Sequence, residues 1–247
     1  MGIMLRRAFV QPQIIDDLLA GSNLDPETTH RFSRILRLPT GTRVELFDGT
    51  GRVLQGTFNA PNHLRDIDLD HHVPSKPTLV IAQALSKMDK LEQVAQRGTE
   101  LGAHEFWFFK AEHSVVDLKD KASQKIDRLT RIAQDASRQS ERIDVPSIKL
   151  FSSTQTLLQE LTTLNTINII GTLEATCTLS QILKDQIEPT TEQITLVIGP
   201  EGGLSPSEIQ SFVSTGAFQA KWGPHVLRTE TAALSAIAVI QSFLGRA

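Results

Sequence analysis

Two glycine-bearing turns near the carboxyl end constrain this chain more than any other feature. The first follows Ile194–Ile198, a run of β-branched and aliphatic residues that reads as a buried strand. Gly199-Pro200 ends that run, and Glu201-Gly202-Gly203-Leu204 leads on from it. Gly202 and Gly203 lack a Cβ, so the main chain there is free to adopt positive φ and to lie close against a ligand. Ser205 reads as an N-cap, Pro206 as the first helical residue and Glu208 as the partner completing a capping box. The second turn, from Trp222 to Thr231, repeats the logic: Phe218–Lys221 reads as a strand, Gly223-Pro224 breaks it, and Thr229 or Thr231 caps a last helix. That helix, Ala232–Leu244, is apolar on nearly every side and is expected to be buried. It is too short to cross a bilayer. Two strand-to-helix turns one supersecondary unit apart predict two walls of one pocket, at the carboxyl ends of strands in a parallel α/β sheet. Neither a P-loop nor a G-x-G-x-x-G pattern is present, and Glu201 would repel phosphate while tolerating a cationic ligand.

Upstream, the chain reads as two domains. Leu5–Asp70 is β-rich. Arg6–Val10 is a first strand and Asp25-Pro26 caps a short helix through His30, Phe32, Ile35 and Leu36. Val44–Phe47, Arg52–Asn59 and His63–Leu69 read as strands joined by Asp48-Gly49-Thr50-Gly51 and Pro61-Asn62 turns, the outline of a small barrel. His71–Pro77 is the expected linker, placing one domain at 1–72 and a second at 73–247. In the second, Leu79–Ala84 and Glu105–Lys110 read as strands around a helix that Ser86 or Asp89 starts and Gly102 ends. Lys119–Ser140 reads as a long helix burying Ala122, Ile126, Leu129, Ala133 and Ala136, and Ser153–Leu164 as a weak one. Ile167–Ile170 is the next strand, and Gly171-Thr172-Leu173-Glu174 brings Leu173 in as a third wall. The alternation predicts a mainly parallel sheet.

The formal charge of −3 over 247 residues is not that of a general nucleic-acid binder, so any RNA contact must come from a local basic surface. The β-rich unit offers Arg6, Arg7, Arg31, Arg34, Arg37, Arg43 and Arg52, and no lysine. Arginine suits bidentate phosphate contacts, but nearby acidic residues also allow a mixed solvated surface. The single Cys177 excludes an internal disulfide and fits a reducing compartment. Met1–Val10 lacks the apolar core of a secretion signal, and a cytoplasmic location is expected.

Ile-Gly-Pro-Glu-Gly-Gly-Leu-Ser at 198–205, followed by Gly-Pro-x-Val-Leu-Arg-Thr-Glu-Thr-Ala at 223–232, resembles the SPOUT class of RNA methyltransferases and, more narrowly, the RsmE family of 16S ribosomal RNA uracil-N3 methyltransferases. The resemblance extends over nearly the whole chain. His30…Ile35-Leu36-Arg37…Gly41 is similar to that family's PUA-like RNA-binding domain. Lys87, Thr99-Glu100-Leu101-Gly102, Glu112-His113-Ser114 and Gln139…Arg142…Pro146 fall on its other motifs. Four positions depart from it: Gly98 stands in place of a small helix former, at about 1 kcal/mol relative to alanine, His113 in place of arginine, Trp222 in place of leucine, and His225 is a further change.

The resemblance implies a PUA-like barrel followed by an α/β SPOUT domain with a carboxyl-terminal trefoil knot, working as a homodimer on the 16S RNA of the 30S subunit. It implies S-adenosylmethionine held by Leu173, Ile198, Gly199, Glu201, Gly202, Trp222, Gly223, Val226 and Leu227, with no metal. Trp222 either covers the adenine or packs in the core beside the turn. Arg228 is the expected anion stabiliser and Glu201 or Glu230 the proton acceptor, against the alternative that Arg228 forms an ion pair with one of them. Arg6, Arg7, Arg37, Lys87 and Arg142 are the expected RNA contacts, with a surface salt bridge as the competing role for Arg142. Two other readings stay open: a SPOUT enzyme acting on a different RNA, and a non-catalytic RNA-binding assembly factor.

Overall fold

The structure, a computed structural model, describes residues 6–116, 122–161 and 166–246. Leu5 and the ends expected for two helices, at 119–121 and 162–164, lie outside the described residues. The chain forms two compact units. The first takes residues up to Pro74 together with Ser137–Val145, and the second takes the rest. A boundary drawn at 72 in the sequence misses that return, because a short polar segment carries no mark of which core it joins.

In the first unit, β1 (Arg6–Phe9) leads to α1 (Pro12–Leu19) and α2 (Pro26–His30). The sequence reading overlooked α1. Asp25 caps α2, its carboxylate accepting from the Glu27 and Thr28 amides. The chain continues in a wide helical turn, Arg31–Ile35, before β2 (Thr42–Phe47), β3 (Arg52–Asn59) and β4 (His63–His71). The strands lie in the order β1-β2-β3-β4, with β1 parallel to β2 and the other pairs antiparallel. Among the described residues this is a four-stranded sheet without pairing between β1 and β4. Its buried face gathers Ala8, Ile15, Leu18, Phe32, Val44, Leu46, Leu54 and Phe58.

The second unit adds β5 (Thr78–Ala84), α3 (Met88–Glu100), β6 (Glu105–Phe109), α4 (Ala122–Gln139), β7 (Ser147–Phe151), α5 (Thr154–Leu161), β8 (Thr166–Gly171), α6 (Leu179–Gln186), β9 (Gln193–Ile198), α7 (Pro206–Ser214), β10 (Phe218–Ala220) and α8 (Thr229–Phe243). Six strands in the order β10-β8-β9-β5-β6-β7 are all parallel. A parallel sheet covered on both faces needs apolar residues at successive positions, which is why β5 and β9 read as mainly apolar runs. Leu79, Ile81, Leu196 and Ile198 face α3, α6 and α8, whereas Val80, Ala82 and Val197 face α5 and α7. Among the described residues no helix is long and apolar enough to cross a membrane.

Four local expectations change. Lys87, not Ser86 or Asp89, occupies the N-cap position of α3. Arg228, with extended backbone, occupies that of α8, and the Thr229 hydroxyl bonds to the Gly199 carbonyl. In α4, Leu129, Ala133 and Ala136 are buried, but Ala122 and Ile126 are only half-buried. Helix α8 buries one face, through Ala233, Ala236, Ile237 and Ile240. Ala238 and Phe243 are exposed, since alanine-rich composition makes a helix apolar all round while the core covers only one side.

Gly98 has a packing reason that propensity hides. A Cβ there would lie 2.7 Å from Phe106 Cε1 and 3.3 Å from Ile237 Cδ1, so the glycine lets α3 sit close against β6 and α8. Gly98→Ala is therefore expected to lower stability by about 1–3 kcal/mol through overpacking, overriding a propensity gain of about 1 kcal/mol. Scanning calorimetry of the variant checks this: a lower melting temperature is expected, and a higher one would overturn the packing account.

Candidate active site

Three loops leave the carboxyl edge of the sheet side by side. Gly171 at the end of β8 is level with Ala220 at the end of β10, and Ile170 is level with Val197 of β9. The loops at 172–178, 199–205 and 221–228 therefore start from adjacent strands, which brings Leu173 and both glycine-bearing turns to one edge.

The first turn is tight. The Gly203 amide donates to the Pro200 carbonyl at 2.9 Å, and Gly203 has φ +73°. A Cβ on Gly199 would lie 3.0 Å from the Leu204 nitrogen. Gly203 is thus the residue that needs the left-handed conformation, and Gly199 the one that needs the space. The expected capping box closes α7: the Ser205 hydroxyl accepts from the Glu208 amide at 3.3 Å, and the Ser205 amide donates to Glu208 Oε2 at 2.9 Å. Glu208 does more than the motif foretold. Its Oε1 accepts from the Glu112 amide at 3.0 Å and from the Thr154 hydroxyl at 2.5 Å. Burial would raise this carboxyl, but those donors together hold it below the usual glutamate range. His113 lies against the same turn, Nδ1 being 3.2 Å from the Gly203 carbonyl oxygen. Because a carbonyl only accepts, that ring nitrogen carries the proton.

The second turn is anchored by Trp222. Its indole packs over Gly171, where any Cβ would collide with the ring, and its Nε1 donates to the Ala232 carbonyl at 3.1 Å. The ring is half-buried against the core. Gly223, Pro224, His225 and Val226 are exposed, and Leu227 is half-buried. Val226 is 78 % exposed and Leu173 64 %, so the edge presents large apolar side chains beside open main chain. An adenine ring has the chemistry to cover such residues, and the glycine-bearing main chain leaves room for a ligand to lie close.

Two side-chain links tie the turns together, and sequence reading found neither. The Thr229 hydroxyl donates to the Gly199 carbonyl at 2.8 Å and accepts from Gln83 Nε2 at 2.6 Å. Lys90 Nζ lies 2.7 Å from Glu201 Oε1 and 3.6 Å from Glu230 Oε2. The hydrogen bond to Glu201 raises the Lys90 ammonium above its ordinary range against the pull of desolvation. Burial would raise Glu201, but Lys90, with a smaller contribution from Lys87, holds it below the usual range. Gln83 carried a legible signal, a lone amide inside the apolar run Leu79–Ala84. Lys90 carried a weaker one, standing one helical turn after Lys87.

Arg228 is exposed, and among the described residues it forms no ion pair with Glu201 or Glu230, since Lys90 takes both. Arg37, with φ +49°, and Lys87 are exposed, and Arg6 is half-buried. Arg7 and Arg142 have internal partners instead. Arg7 is 5 % exposed, pairs with Glu45 at 2.5 Å, lies 4.7 Å from the centre of the Phe47 ring, and donates to the Arg142 carbonyl at 2.8 Å. A guanidinium buried to that degree requires a carboxylate. Arg142 is forked onto Asp144, with Nη2–Oδ2 2.5 Å and Nε–Oδ1 3.2 Å. Both guanidiniums are thus engaged by carboxylates of the chain itself, for Arg142 the salt bridge weighed as its competing role. Arg52 is likewise bound to Asp48 and Asp16. Among the described residues no cluster of three His, Cys, Asp or Glu side chains could hold a metal ion.

Residues 74–241 match the RNA methyltransferase domain family. The chain is 39 % identical over 235 residues to the ribosomal RNA small subunit methyltransferase E of Bacillus subtilis (strain 168), covering 87 % of each. It is 28 % identical over 234 residues to the enzyme of that name from Mycobacterium bovis, covering 92 % of this chain and 88 % of that one. A Legionella pneumophila protein solved with the bound cofactor SAM superposes with a TM-score of 0.79 at 25 % identity, covering 98 % of each chain. A chain whose two glycine corners meet at one sheet edge, and whose relatives match along most of its length, belongs to the ribosomal RNA small subunit methyltransferase E family of RNA methyltransferases.

Proposed function

We infer that this chain is an S-adenosylmethionine-dependent methyltransferase of small-subunit ribosomal RNA, and we propose that it acts on N3 of a uridine in 16S RNA. The observation that carries the reading is the pair of glycine corners at one edge of the parallel sheet, after β9 and β10 on either side of β8, joined through Thr229 and Lys90, in a chain of this family. The donor site comprises Leu173, Ile198, Gly199, Glu201, Gly202, Gly223, Val226 and Leu227, with Trp222 holding the second corner in shape. A trefoil knot is supported by the strand order β10-β8-β9-β5 and by α8 beginning against the first corner. A homodimer is supported by the uncovered side of α8, where Ala238, Val239, Ser242 and Phe243 line a shallow groove with Ser180. The first unit, proposed at 1–72 with Ser137–Val145 added to it, is read as the PUA-like RNA-binding domain. Arg6 and Arg37 supply its proposed RNA contacts, Lys87 supplies that of the second unit, and the site of action is the cytoplasm.

S-adenosylmethionine supplies a methyl group already activated by its sulfonium. The chain has to hold the uracil in line with it and take the N3 proton, because the imide is mostly protonated at neutral pH. As the N3–methyl bond forms and the sulfur–methyl bond breaks, the imide proton leaves to a carboxylate. Glu230, 8 % exposed and in the first turn of α8, is the better placed acceptor. Glu201 is committed to Lys90 and held ionised. Arg228, exposed and outside the Lys90 cluster, stabilises the charge spreading onto O2 and O4.

Three outcomes test this reading. Unmodified 30S particles are expected to accept tritiated methyl groups, while 50S particles and transfer RNA are not; labelling of transfer RNA alone would rule the assignment out. Gly202→Trp is expected to abolish calorimetric S-adenosylmethionine binding in a folded protein, and Arg228→Ala to lower kcat about 10²–10³-fold with little change in donor affinity. The Lys90–Glu201 link also has a pH signature. A depressed carboxyl pKa contributes stability above the unfolded value of about 4.3, and that stability is lost as pH falls through the lower folded value. The gap in urea stability between wild type and Lys90→Met should be at most about 1 kcal/mol at pH 7, because Glu201 is partly exposed. It should close below the folded value, and a gap that persists there would contradict the pairing.

A further inference from the structure

We propose that Gln83 and Thr229 are positioning residues for the methyl donor, acting together through the Gly199 carbonyl. This rests on the reading of the glycine corners as the donor site. Gln83 is fully buried near the end of β5, among side chains that are otherwise apolar. A leucine would suit that strand, and a buried amide is kept only where its hydrogen bonds are needed. Its Nε2 lies 2.6 Å from Thr229 Oγ1 and 3.3 Å from the Ala84 carbonyl, while its Oε1 has no hydrogen-bond partner among the described residues.

The direction of this chain of bonds is fixed by chemistry. The Gly199 carbonyl only accepts, so the single hydroxyl hydrogen of Thr229 goes to it, at 2.8 Å. The Thr229 oxygen must then accept, and Gln83 must present its N–H₂ end. The amide thereby orients the hydroxyl, and the hydroxyl orients the carbonyl.

The carbonyl matters because the next residue, at position 200, is proline, so the peptide between Gly199 and Pro200 has no N–H. That carbonyl is the one polar group through which the peptide plane can be held, and Thr229 holds it. The same plane leads directly into Glu201-Gly202-Gly203, the main chain proposed to line the donor. Thr229 is also the first residue of α8, directly after the second corner. One hydroxyl thus sets the tilt of the first corner and its distance from the second, so a donor meets a corner already in its binding conformation.

Donor affinity measured by calorimetry on the full chain tests this, with melting temperature recorded in parallel. Thr229→Ser keeps the hydroxyl and should bind within about threefold of wild type. Thr229→Val and Gln83→Leu should each weaken S-adenosylmethionine binding about tenfold or more, with the loss falling on the KM for the donor rather than on kcat. The double variant should be little weaker than Thr229→Val alone, because the amide acts through the hydroxyl. Wild-type affinity in Thr229→Val, or fully additive losses in the double variant, would overturn the proposal. Should Thr229→Val fail to fold, Gln83→Leu decides by itself: unchanged affinity overturns the proposal, and a tenfold loss at an unchanged melting temperature upholds it. Gly202→Trp separates the two levels. If that variant binds donor normally, the corners are not the donor site and the underlying reading falls instead.

Discussion

Adjacent parallel strands that end at one edge are the constraint on which this site depends. Because β10, β8 and β9 run in the same direction and in register, the loops after them leave from the same side. A parallel sheet needs helices on both faces, which explains why α7 starts at the first corner and α8 at the second. Helix starts bring unpaired main-chain N–H groups to the same edge. The glycines then do what their positions demand: Gly203 takes a left-handed conformation, and Gly199 leaves space for its own turn.

Charge at this edge is arranged around Lys90. One ammonium faces Glu201 of the first corner and Glu230 of α8, so the cluster keeps an excess of negative charge. Such an environment favours a cationic ligand over a phosphate, in keeping with the sulfonium of the proposed donor. The pairing also sets the two carboxylates apart. Glu201 is held ionised by its partner, whereas Glu230 stays at a longer distance. Arg228 is left exposed because Lys90 has taken the acidic partners that would otherwise compete for it.

Much of this was legible from local patterns. The β5 and β9 runs, the capping box at Ser205–Glu208 and the breaks at Gly199-Pro200 and Gly223-Pro224 are encoded within a few residues, and the structure agrees with them. The features that the sequence concealed depend on distant partners. Nothing near Arg7 in the chain announces Glu45 and Phe47 around it. Gly98 looks like a helix defect until Phe106 is seen against it. Thr229 looks like a helix cap until its hydroxyl is found on Gly199, 30 residues earlier in the chain. Ser137–Val145 gives no local sign that it belongs with the first unit.

A crystal structure of this protein with S-adenosylmethionine bound is the most direct test of the two-corner site. The donor is expected at the carboxyl edge, between the main chain of 199–203 and that of 223–227, with Val226 and Leu173 covered by it. A donor bound at any other edge, or one held without main-chain contacts from either corner, would contradict that placement.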